Sequence, residues 1–105
     1  MSDIRLKTLP VNFDGREFVL TCNFNVLADV QEACGGNILN ALESVNTLNT
    51  TRLFLWAMIN DAAEEMGIGP YTERQVGREF NLIKMSHKVM ELVRSALVDP
   101  EADPN

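Results

Sequence analysis

VNFDGREFVL, Val11 to Leu20, settles how the chain opens. Apolar residues alternate on both sides of Asp14-Gly15: Leu9, Val11 and Phe13 before it, Phe18, Leu20, Cys22 and Phe24 after it. An Asp-Gly pair between two alternating runs is a strong hairpin signal, because a type I′ turn needs positive φ at both central residues. Pro10 has no amide proton to give a ladder, so the first strand must lie at an edge or begin near that residue. A hairpin alone is marginal in water, so its apolar face has to pack on the rest of the chain.

Beyond the hairpin the apolar spacing becomes helical. In NFNVLADVQEACGG, Asn23 or Asn25 can cap a helix whose Val26, Leu27, Val30 and Cys34 share one face, and Gly35-Gly36 supplies a left-handed ending. A short amphipathic piece with Ile38, Leu42 and Val45 comes next. The polar stretch NTLNTT offers caps for a longer helix, predicted from about Thr51 to Met66 and closed by Gly67. Within it Leu53 to Ile59 is apolar on every side, as in a helix covered all round. After the break at Gly67-Ile68-Gly69-Pro70, Thr72 and Gln75 have the spacing of a capping box, opening a short helix to about Phe80. The last helix is predicted from near Asn81 to before Pro100.

The chain has 105 residues, 46% of them hydrophobic, enough for one domain with a core. Residues 1–98 are expected to form that domain, with 99–105 a disordered acidic tail. The formal net charge is −6, and the acidic excess runs through both halves. Nucleic-acid binding draws on lysines and arginines set against phosphates, so this balance weighs against it. Two cysteines do not make a disulfide framework, and Cys22 and Cys34 are expected to be reduced and buried. The first residues show no signal-peptide pattern, and the longest apolar run, Leu53 to Ile59, is too short for a membrane span.

Signals for catalysis are weak. His87 is the one histidine, and its sequence neighbours Ser86 and Lys88 point away from it on a helix, so an exposed helix histidine is expected. Cys22, Cys34 and His87 lack metal-ligand spacing. Glu64 and Glu65 are splayed on their helix and read as solvated charges, and none of the glycine pairs follows a strand as a phosphate loop does.

TERQVGREFNLIKMSHKVMELV, Thr72 to Val93, leaves two readings open. As a helix-turn-helix, Ser86, His87, Lys88 and Glu91 would read bases while Arg74, Arg78 and Lys84 held phosphates. As a protein-binding element, the last helix carries a stripe of Leu82, Met85, Val89, Leu92, Val93 and Ala96, which Ile83, Met90 and Leu97 widen at steps of seven. The arc covers about half the circumference, more than a core-facing helix usually needs, and its edge is free for a partner groove or a second copy.

Taken together, V-N-F-D-G-R-E-F-V-L-T, N-F-N-V-L-A-D-V-Q-E-A-C-G-G, L-F-L-W-A-M-I and Y-T-E-R-Q-V-G-R-E-F resemble the tail assembly chaperones of long-tailed bacteriophages and gene transfer agents. Val26, Leu27, Ala28, Val30, Glu32 and Gly35 match the family's first helix, Trp56 its leucine-tryptophan-alanine stretch, and the Thr72 helix its threonine-x-x-x-valine-glycine element. The resemblance covers about residues 10 to 97. It implies a non-catalytic chaperone that coats the tape measure protein until the tail tube polymerises around it, and in many such phages a frameshift gives a longer form.

The sequence therefore predicts an α+β domain, an N-terminal β-hairpin followed by a bundle of four to five helices. The expected function is phage tail assembly chaperone, with the tape measure protein as partner and a homo-oligomer possible. No enzyme activity, cofactor, metal, nucleic acid or membrane is expected, and the expected location is the host cytoplasm. Ile83, Met90, Leu97 and Met85 are the candidate partner-binding residues. The five methionines suit such a role, since thioether side chains adapt to varied surfaces. The alternatives are a small helix-turn-helix DNA-binding regulator and a phage structural or connector protein.

Overall fold

The computed structural model describes residues 8–36, 43 and 47–97. The predicted short helix around Ile38, Leu42 and Val45, and the predicted acidic tail, lie outside the described residues. The architecture is α+β. Strands β1 (Leu9–Phe13) and β2 (Arg16–Leu20) precede helices α1 (Phe24–Ala33), α2 (Leu48–Met66), α3 (Glu73–Glu79) and α4 (Leu82–Leu97).

The hairpin forms as its turn chemistry dictates. Asp14 and Gly15 both have positive φ, 56° and 73°. That fixes the antiparallel register Leu9↔Leu20, Val11↔Phe18 and Phe13↔Arg16. Leu9, Phe13, Phe18 and Leu20 are buried, while Val19 on the opposite face is exposed. The strand ends at Leu20, although Cys22 still packs partly buried against the core. Asn23 is extended and accepts a hydrogen bond from the Val26 amide at 3.0 Å, so it caps α1 and makes Phe24 the first helical residue. Phe24 consequently turns out into solvent, against the inward position that strand alternation predicts.

Helix α2 lies at the centre, packed against β2, α1, α3 and α4. It begins at Leu48, earlier than the predicted Thr51, because Thr47 provides the cap by accepting from the Thr50 amide at 3.2 Å. Thr50 and Thr51 fall inside the helix and are buried. Phe54, Leu55, Ala57, Met58 and Ile59 are fully buried, and Leu53 and Trp56 pack partly buried against the same core. At the far end Gly67 is left-handed, and the Ile68 amide bonds back to the Ala63 carbonyl at 3.0 Å. This is a Schellman-type stop with Ile68 as its apolar cover.

The link between α2 and α3 is tied to α2 by side chains. Asn60 brackets the Tyr71 backbone, accepting from its amide at 2.7 Å and donating to its carbonyl at 3.0 Å. The Trp56 indole N–H donates to that same carbonyl at 2.9 Å. Tyr71, so placed, meets the tip of the hairpin: its hydroxyl donates to Asp14 at 2.6 Å, and the Asp14 amide donates to Glu79 at 2.9 Å. Beneath these bonds the Phe13 ring lies edge-on to Phe18 and Tyr71 and stacked on Phe80.

The capping box of α3 forms as its spacing predicts. Thr72 Oγ1 accepts from the Gln75 amide at 3.1 Å, and the Gln75 side chain accepts from the Thr72 amide at 2.7 Å. Thr72→Ala removes one of these acceptors and should cost about 1 kcal/mol of stability in a denaturant titration. Since Thr72 is not one of the candidate partner-binding residues, partner binding should not change. A lost interaction at unchanged stability would identify the start of α3 as a contact site.

Candidate functional site

Helix α4 begins almost directly after α3. Asn81 caps it, its side chain accepting from the Lys84 amide at 3.2 Å and its carbonyl from the Met85 amide at 3.0 Å. Val89, Leu92 and Val93 form the buried centre of its apolar arc, joined by Ser95, whose hydroxyl finds no hydrogen-bond partner among the described residues. The edge of the arc faces solvent: Ile83 is 74% exposed, Leu97 47%, and Met90 partly exposed. Met85 differs, being partly buried and packed against the core. Ile83 and Leu97 are separated by 14 residues, about 21 Å along a helix axis, so the edge is long enough to meet an extended partner.

A second apolar surface lies at the C-terminal end of α4. Phe24, 87% exposed, lines a pocket of about 250 Å³ with Cys22, Asn23, Leu27 and Ala96. Sequence reasoning missed this surface by assigning Phe24 to the strand's inner face. The signal available was Asn23, a good cap directly before a helical pattern. An aromatic ring left in water at the first position of a helix gives up burial it could have had, so it marks a contact surface better than a lone aliphatic does.

The polar candidates are placed as solvated side chains. His87, Lys88 and Glu91 are exposed. Ser86 Oγ donates to the Ile83 carbonyl of its own helix at 3.0 Å. Glu64 and Glu65 are exposed near the end of α2. Cys22 and Cys34 are each partly buried, and the Cys34 thiol donates to the Gln31 carbonyl at 3.5 Å. Burial pushes the Cys22 thiol up to about 12, which keeps it protonated and poorly nucleophilic at neutral pH. Among the described residues no group of three or more His, Cys, Asp or Glu could hold a metal ion. No described helix is long and apolar enough to cross a membrane.

For a helix-turn-helix, Phe80 and Asn81 are the only residues between α3 and α4, a shorter turn than the usual three or four. Arg74 and Arg78 do lie on the exposed side of α3. Comparison of the chain with protein-family models, with curated proteins and with solved structures finds no match.

Proposed function

We propose that this protein is a non-catalytic assembly chaperone of the phage-tail kind, which holds the tape measure protein before the tail tube forms around it. The observation that carries the reading is the apolar edge of α4, Ile83, Met90 and Leu97, facing solvent on a helix anchored by Val89, Leu92 and Val93. The exposed Phe24 near the end of that helix extends the apolar surface available to a client. The order of elements supports it as well, since hairpin, capped helix, central tryptophan-bearing helix and Thr72 helix succeed one another as the resemblance implies. The chaperone would act in the host cytoplasm, without cofactor, and could self-associate through the same edge.

Co-expression with the tape measure protein encoded beside it tests the reading. The wild-type chain should co-purify with that protein, and Ile83→Glu combined with Leu97→Glu should lose it while melting normally. Retention of the client by this folded variant would remove α4 from the interface. The regulator reading is tested in parallel. At about 100 mM salt the protein should show no salt-sensitive binding to duplex DNA. Micromolar binding that weakens steeply as salt is added would replace the chaperone with a regulator.

A further inference from the structure

Three arginines of this acidic protein converge on one pocket. Arg52 of α2 and Arg74 and Arg78 of α3 line a cavity of about 220 Å³ with Gly77 and Leu82. Arg74 and Arg78 sit four apart on a short helix, a like-charge spacing that works against it. Neither makes an ion pair with a described residue. Arg52 is only loosely answered: its Nε is buried with no hydrogen-bond partner among the described residues, and its ion pair with Glu73 is long, 3.7 Å.

Gly77 is what lets Arg52 reach the pocket. It sits inside α3 at negative φ, where glycine is a poor helix former and no left-handed backbone demands it. A Cβ there would come within 3.1 Å of Arg52 Cδ. The helix has a gap at the one place where the arginine's stem crosses it.

We infer that this pocket binds a carboxylate from an acidic and apolar segment of a partner protein. Guanidinium groups hold carboxylates through paired N–H donors, and three converging on one cavity favour an anion that compensates them together. Leu82 in the wall and exposed Ile83 beside it in the chain suit an apolar residue flanking that acid. A pit of this size takes one or two carboxyl groups. A duplex backbone needs a basic track, and here Glu73 and Glu79 stand on the same helix as the arginines, in a chain of net charge −6. The site stands independently of whether a tape measure protein is the client.

Fluorescence anisotropy at about 50 mM salt provides the test. The probes are a labelled helical peptide with Leu and Glu on one face, its twin with Gln for every Glu, and a labelled DNA duplex. The Glu peptide should bind about tenfold or more tighter than its twin, as charge-assisted pairing implies. Arg74→Gln with Arg78→Gln should erase that preference. Gly77→Ala should keep the helix, push the Arg52 stem aside and reduce the preference several-fold. Equal binding of the two peptides, tighter binding of the duplex, or a preference that survives the double variant would overturn the site. An unchanged preference in Gly77→Ala would overturn the three-arginine assignment.

Discussion

Val89→Glu should leave no cooperative melting transition, whereas Ile83→Glu should melt close to the wild type. Val89 has no exposed surface and sits where α4 packs on α2. A carboxylate there has no described partner and would be buried unpaired, at a cost of several kcal/mol. That is a large share of the roughly 5–15 kcal/mol by which domains are stable. Ile83 is 74% exposed and two residues past the Asn81 cap. An acid in the first turn of a helix lies near its positive end, so the exchange should stay within about 0.5 kcal/mol of neutral. Circular dichroism melts compare the two variants directly. Equal destabilisation would show that the whole arc is core, and the partner surface would then have to centre on Phe24.

Phe13→Ala should be the most damaging change in the hairpin. Its ring touches Phe18, Tyr71 and Phe80 at centroid distances of 5.9, 4.9 and 5.6 Å, joining strand, interhelical link and the end of α3. Truncating such a ring typically costs about 3–5 kcal/mol, read as a fall in the denaturant midpoint. Tyr71→Phe keeps the ring contact and removes only the bond to Asp14, so its loss should be much smaller. It should also change the alkaline limb. The hydrogen bond to Asp14, then burial, raises the Tyr71 phenol above its ordinary value. The folded state therefore holds that proton more tightly than the unfolded chain. Its contribution is full below the ordinary tyrosine value near pH ~10 and is lost as pH rises through the higher folded value. The Phe variant should lack that alkaline loss.

Much of this architecture was legible because local chemistry and burial agree. Asp14-Gly15 dictated the turn, Thr72 and Gln75 the cap, and Gly67 the end of α2. The misplacements fall where two local rules compete. Cys22 keeps the inward position that the period of β2 gives it, but Phe24 does not, because Asn23 between them caps a helix and α1 buries Val26 and Val30 only in that register. Thr47, Thr50 and Thr51 all have the chemistry of a cap, and burial of Thr50 and Thr51 against the core selects the first. For the candidate surface, a period of seven placed Ile83, Met90 and Leu97 on one edge. The convergence of Arg52 with Arg74 and Arg78 was not readable, since it depends on how α2 and α3 cross and on the gap at Gly77.

The clasp between the hairpin tip and the Tyr71 segment has a consequence for synthesis. Asp14 waits for a hydroxyl 57 residues later and a carboxylate 65 residues later. At translation rates of about 5–20 residues per second, the tip is made several seconds before its partners. During that interval Phe13 has neither Tyr71 nor Phe80 to lie against, and the emerging chain presents an incompletely covered aromatic strand. A chain truncated between Gly15 and Tyr71 therefore carries the Phe13 ring without its two later partners, and the clasp at the hairpin tip can close only after Phe80 has been made.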